Sequence, residues 1–153
     1  MTLATMSETM MLLTIDVGNT HTVLGLYSGE CLRSRWRLQT DRDRTADEWA
    51  VLVSQLFELK QLDFFEVEGV IISSVVPPLS ATLSEMCRIC FDLDPYLVSA
   101  QSDTGIAIDY DYPHEVGADR IVNAVAAYAK HRTSLIVVDF GTATTFDYLS
   151  AEG

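Results

Sequence analysis

The sequence predicts an α/β protein built on a mixed β-sheet with helices on both faces. Three observations lead there. The chain opens with turn-punctuated segments that read as an antiparallel meander, continues with apolar strands separated by helical periodicity, and ends on a hairpin that repeats the pattern of the first. Antiparallel pairs followed by β–α crossovers give a sheet containing both strand senses. Crossovers between parallel strands are right-handed.

The elements follow in order. Residues 12–17 form an apolar run that stops at Gly18 and Asn19, a strand followed by a turn. Residues 22–27 make a second strand, and Ser28 with Gly29 a second turn. Over residues 31–40, Arg33, Arg35 and Arg37 alternate with Ser34, Trp36 and Leu38, the signature of a half-buried antiparallel strand. Thr45 and Glu48 have capping-box spacing, and Trp49, Leu52, Val53, Leu56 and Phe57 follow at helical spacing. Residues 70–76 are β-branched and apolar and read as a strand buried on both faces, stopped by Pro77 and Pro78. A helix is predicted over 79–91 and a short strand over 96–98. A second polar stretch leads to a helix over 117–131, with Ile121, Val122, Val125 and Tyr128 on one stripe. Residues 135–139 read as another buried strand, Gly141 and Thr142 as a turn, and 143–149 as the returning strand.

Composition excludes several function classes. Hydrophobic residues make up 48% and charged residues 21% of the 153, which suits a folded domain rather than a disordered chain. Ten basic residues against 22 acidic give a net charge of −12, so neither nucleic acid nor an anionic membrane is an expected partner. Three cysteines make no disulfide framework, which points to a reducing, cytoplasmic location. No apolar run approaches the roughly 18 residues of a membrane span. The first basic residue is Arg33, so the start has no positive n-region of a signal peptide. Residues 1–10, with Met1, Met6 and Met10 closely spaced, read as a disordered lead.

The chemistry concentrates in the two similar turns. Asp16, Val17, Gly18, Asn19 and Thr20 form one; Asp139, Phe140, Gly141, Thr142 and Ala143 form the other. Each places a carboxylate at a strand end beside a glycine, where backbone can approach a ligand closely. Backbone amides and the side chains of Asn19, Thr20, Thr142 and Thr144 suit phosphate oxygens, and the carboxylates suit a hydrated cation. A single such turn reads as an ordinary hairpin; its repetition suggests a duplicated architecture with a cleft between the copies. The chain has neither a P-loop nor a dinucleotide fingerprint. A third cluster runs from Tyr110 to Arg120, with Asp119 and Arg120 in the first turn of the helix that Gly117 opens. An acid there complements the helix dipole; beside a guanidinium it can also hold an anionic, hydroxyl-bearing small molecule.

Together, Asp16 to Val23, Tyr110 with Glu115 to Arg120, and Val138 to Phe146 resemble the type III pantothenate kinases. Residues 40–48 and 73–77 fit the same pattern, and the resemblance runs from residue 11 to the end. The block Gly117, Ala118, Asp119, Arg120 is its most specific part, and Tyr112 departs from the Asn expected there. The resemblance implies a ribonuclease H-like fold of the acetate and sugar kinase, heat-shock 70 and actin superfamily. It implies ATP-dependent phosphorylation of pantothenate to 4′-phosphopantothenate, the first step of coenzyme A synthesis. By position, Asp16, Val17, Gly18, Asn19, Thr20, His21, Thr22, Val23 and Thr142 would bind ATP. Tyr110, Gly117, Ala118, Asp119 and Arg120 would bind pantothenate, with Asp119 the catalytic proton acceptor. Asp139 would bind a monovalent cation, K+ or NH4+, and Mg2+ would accompany the nucleotide. A homodimer is implied, the partner subunit helping to form the pantothenate pocket.

The resemblance also implies a domain division. Residues 11–132 would be a first actin-like ATPase domain with its linking helix, and 133–153 the incomplete start of a second. Members of the family are longer, so the expectation is a truncated part of a kinase, inactive alone. Two alternatives stand beside the enzyme: a non-catalytic nucleotide-binding accessory protein of the same fold, and a superfamily kinase acting on another acceptor. Lys60 and Lys130 are the only lysines and lie in no motif, so phosphate charge falls to metal ions, dipoles and Arg120. Cys87 and Cys90 read as core or half-buried thiols, Trp36 and Trp49 as core, and His114 and His131 as surface. Arg33, Arg35 and Arg37, with Arg42 and Arg44, read as a solvated face.

Overall fold

The computed structural model describes residues 10–153; the expected lead over 1–10 falls, except for exposed Met10, outside the described residues. Strands β1 (Met11–Val17), β2 (His21–Ser28) and β3 (Cys31–Gln39) form the meander. Helix α1 (Ala46–Leu59) leads through a 3-10 turn at Phe64–Glu66 to β4 (Val67–Ser74). Helix α2 (Pro77–Phe91) leads to β5 (Tyr96–Leu97). After a second 3-10 turn at Pro113–Glu115 come α3 (Ala118–His131), β6 (Leu135–Phe140) and β7 (Thr144–Leu149). The first five strands make one sheet in the order β3-β2-β1-β4-β5, antiparallel on the β3–β1 side and parallel on the β1–β5 side. This is the mixed sheet that the sequence predicts.

Alternation in β1 divides the sheet's two faces. Leu13, Ile15 and Val17 are buried against Trp49, Val53 and Phe57 of α1 and Leu79, Leu83 and Met86 of α2. Trp36, Phe57, Phe64 and Phe91 extend this core as an aromatic cluster, the first three rings stacked and Phe91 edge-on to Phe64, with successive ring centroids 5.4, 4.6 and 5.2 Å apart. Helix α3 lies against β4, β6 and β7, burying Ala118, Ile121 and Ala124. Thr14 and Asp16 therefore project from the face opposite the main core. Among the described residues, no helix is long and apolar enough to cross a membrane.

Three sequence expectations are corrected. Pro77 and Pro78 open α2 rather than merely ending β4; proline has no amide hydrogen to lose in a helix's first turn. Strand β4 starts at Val67, because Val67 and Gly69 already pair with Met11 and Leu12. Strand β6 is not buried on both faces. It pairs only with β7, so Ile136, Val138 and Phe140 stand exposed beside their cross-strand neighbours Phe146 and Tyr148.

Candidate active site

The hairpin between β1 and β2 closes with Gly18 N donating to His21 O at 3.0 Å, and the β6–β7 hairpin with Gly141 N donating to Ala143 O at 3.1 Å. A Cβ on Gly18 would sit 3.2 Å from the His21 carbonyl, so the tight turn favours glycine. The two turns face each other: Thr20 Oγ1 and Thr142 Oγ1 are hydrogen-bonded at 3.2 Å. Between them lies a cleft of about 650 Å³ lined by Asp16, Asp119 and Asp139 together with Asn19, Thr20, His21 and Thr142. Residues 123 positions apart in sequence thus bring their carboxylates, Asp16 and Asp139, into one cavity. Gly18 and Val23 also line it, whereas Val17 and Thr22 are buried beneath, toward the core.

Asp16 sits at the end of β1, level with Val23 on one side and Ser73 on the other. Solvent reaches its carboxylate, yet protein surrounds it on most sides of the concavity. That burial raises its pKa above the ordinary carboxylate value, the charges of Asp119 and Asp139 add to the rise, and Ser73 opposes it. Ser73 Oγ itself is buried without a fully formed hydrogen bond. Asp119 lies one residue inside α3, where its Oδ1 accepts from Arg120 N at 2.8 Å. Gly117, the N-cap of α3, leaves room for this arrangement: a Cβ there would lie 2.5 Å from Asp119 Oδ1 and 3.3 Å from Val75 Cγ1, so a larger residue would push the carboxylate aside. Asp139 is the cross-strand partner of Thr145, whose Oγ1 is buried without a partner. One carboxylate beside one spare hydroxyl suits a weakly held, oxygen-seeking cation. Among the described residues, no cluster of three His, Cys, Asp or Glu side chains is placed to hold a metal ion.

The expected acceptor-binding residues divide between two cavities. Tyr110 and Arg120 line a neighbouring pocket of about 490 Å³ with Ile108, Val116, Asp147 and Tyr148, while Asp119 faces the cleft. Gly117 and buried Ala118 form the helix start between them. Arg120 donates from Nε to Asp147 Oδ1 at 2.7 Å, and its Nη2 donates to the same oxygen. Its guanidinium also lies 5.8 Å from the centroid of the Tyr110 ring. The Asp147 bond is the main reason that the Arg120 pKa is raised.

Sequence reasoning missed several lining residues. Asp147 carried no motif signal beyond its place in the alternation of β7. Asn123 and Val122, one turn into α3 from Asp119, and Thr145 also line the cleft. Arg33 and Arg35 are exposed as expected, but Arg37 at the far end of the same stripe lines the cleft. It is the only lysine or arginine among the cleft's lining residues, and it makes no salt bridge among the described residues. The cysteines give no second site: Cys87 is buried, which pushes its thiol up to about 12, and burial also raises half-buried Cys90.

A family model described as type III pantothenate kinase matches residues 12–153. The chain belongs to the type III pantothenate kinase family. Relatives bearing that family name include proteins of Geotalea daltonii, 54% identical, and Geobacter sulfurreducens, 56% identical, each over 143 residues. Those alignments cover 94% of this chain and 56% of each relative, so the chain spans about half the length of the curated relatives it matches. Solved structures share the fold at low identity. A reductive activator for a corrinoid, iron-sulfur protein superposes with a TM-score of 0.63 at 12% identity, covering 94% of this chain and 30% of that one. A ROK hexokinase from Thermus thermophilus superposes with 0.53 at 11%, covering 94% and 47%.

Proposed function

We propose that the full-length protein transfers the γ-phosphoryl group of ATP to the primary hydroxyl of pantothenate. The observation that carries this reading is the meeting of both Asp-x-Gly turns and Asp119 around one cleft, in a member of this family. Phosphoryl transfer asks a protein mainly for positioning and charge neutralisation. Amides and hydroxyls of the two turns, with Asn19, would hold the phosphates. Arg37 would offset part of their charge from the β3 side. Mg2+ accompanying the nucleotide would supply the rest of the neutralisation. The Asp16 carboxylate is available to it or to its water shell.

Asp119 would accept the proton of the attacking hydroxyl as that oxygen bonds to the γ-phosphorus and the bond to the bridging oxygen breaks, releasing ADP. Arg120 and Tyr110 would receive the carboxylate and polar arm of pantothenate in the neighbouring pocket, with Gly117 and Ala118 setting the helix start that places Asp119 and Arg120. Asp139, with the spare Thr145 hydroxyl beside it, would hold K+ or NH4+. The reading includes a first domain over 11–132 and the start of a second over 133–153, a homodimer, and a cytoplasmic location.

The test is Asp119→Asn in the full-length protein. It should abolish pantothenate phosphorylation and leave ATP binding within about twofold of wild type, since only the proton acceptor is lost. Near wild-type turnover by this variant would sink the assignment of Asp119. Saturable ATP binding by the wild type with no turnover on any acceptor would favour a non-catalytic protein instead.

A further inference from the structure

The first turn is tied to a segment outside it. Thr40 follows directly on β3 and makes three bonds toward the turn. Its amide donates to Thr20 O at 2.9 Å. Its Oγ1 donates to Gly18 O at 2.7 Å and lies 3.0 Å from Thr22 Oγ1. A hydroxyl has one proton, and a carbonyl can only accept. The Thr40 proton therefore goes to Gly18 O, and Thr22, buried in β2, donates to Thr40. Two residues further on, Arg42 Nη2 donates to Asn19 Oδ1 at 2.9 Å. An arginine only donates, so Asn19 is held by its oxygen and keeps its NH2 group as the free polar end.

These bonds engage three of the turn's four backbone carbonyls. The carbonyls of Gly18, Thr20 and His21 are all engaged, by Thr40 Oγ1, Thr40 N and Gly18 N. The amides of Asn19 and Thr20 donate to no group among the described residues. With these three carbonyls tied elsewhere, the turn presents mainly hydrogen-bond donors to the cleft: the two amides and the Asn19 NH2, beside the Thr20 hydroxyl that is bonded to Thr142 Oγ1. A flexible turn would present carbonyls to an anion part of the time. A turn held this way presents donors before the anion arrives, and preorganisation of that kind improves binding without any new contact.

We propose that Thr40 and Arg42 are positioning residues that preset the first turn for triphosphate, acting through Gly18, Thr20 and Asn19 rather than by touching the ligand. The proposal rests on the nucleotide part of the function proposed above and is independent of the acceptor. Neither residue belongs to the turn motif, and the exposed Arg42 bond adds little to stability. Its effect should appear in nucleotide affinity rather than in melting temperature.

The test measures binding of a non-hydrolysable ATP analogue with Mg2+ to the full-length protein by calorimetry, with the KM for each substrate alongside. Thr40→Val keeps the shape and removes the hydroxyl; it should weaken nucleotide binding roughly fivefold. Thr40→Ser should restore it to within about twofold, and the pantothenate KM should not move. Should Thr40→Val fail to fold, Arg42→Ala carries the test alone. It should weaken binding roughly threefold in the wild-type background and have no further effect in Asn19→Ala, because Arg42 acts through Asn19. Wild-type affinity in folded Thr40→Val, equal impairment of Thr40→Ser and Thr40→Val, or additive effects of Arg42→Ala and Asn19→Ala would each overturn the proposal. A wild-type protein that binds no nucleotide overturns it together with the functional reading. One that binds nucleotide but phosphorylates another acceptor overturns only that reading.

Discussion

Asp16 is held in the fold against its own charge. Its surroundings favour the neutral acid, so its folded pKa lies above the ordinary 3.8. The sign follows by linkage: its contribution to stability is full below the ordinary value and is lost as pH rises through the raised one. Asp16→Asn should therefore unfold at higher denaturant than wild type at pH 7, the gap closing as pH falls below about 3.8. Denaturation midpoints of both proteins across that range check this, and a gap independent of pH contradicts it. The same variant should lose kinase activity, a stability–function conflict of the kind active sites carry. Arg37 makes the opposite contribution, one positive charge among three cleft carboxylates. Arg37→Gln should raise the KM for ATP about tenfold with little change in kcat. An unchanged KM at low salt would return Arg37 to the solvated face that its alternation on β3 first suggested.

At the scale of elements, helix α1 shows what local sequence specifies. Thr45 Oγ1 accepts from Glu48 N at 3.3 Å, and Glu48 Oε2 accepts from Thr45 N at 2.8 Å, the reciprocal box that the spacing predicts. Those bonds lower the Glu48 pKa, the Thr45 backbone contributing most. Thr45→Ala should lower the melting temperature by roughly 2–4 °C, read by calorimetry, and no shift would contradict the cap's role. The box was legible because it is complete within four residues. Other features were not, for stated reasons. Proline both ends strands and begins helices, so Pro77 was ambiguous until its neighbours were placed. The apolar run of β6 looks the same whether one face or both are covered. The neighbourhood of Arg37, Asn123 and Asp147 depends on pairings across the chain: Arg37 lies opposite Val23, and Asp147 meets Arg120 from another element. The three carboxylates were legible because a repeated turn motif and a distinctive helix start marked them.

The described residues divide into a five-stranded sheet packed against α1 and α2 and a hairpin with one bare face. Ile136, Phe146 and Tyr148 are 64%, 66% and 72% exposed, with Val138 between them, so the face is contiguous and apolar. Such a surface on a two-stranded sheet invites association. Residues 1–153 on their own should self-associate with rising concentration. Val138→Lys with Phe146→Lys should suppress this in light scattering; unaltered scattering would place the contact elsewhere. Because the chain spans about half the length of its curated relatives, residues 1–153 alone should also give no turnover, and measurable turnover would refute this. Mass spectrometry of the full-length protein's reaction decides whether it is a pantothenate kinase. With pantothenate, ATP, Mg2+ and K+, it should yield 4′-phosphopantothenate and ADP in equal amounts, and Asp119→Asn should yield neither. ATP bound but no phosphopantothenate formed by the wild type, or product formed by Asp119→Asn at the wild-type rate, would contradict the account.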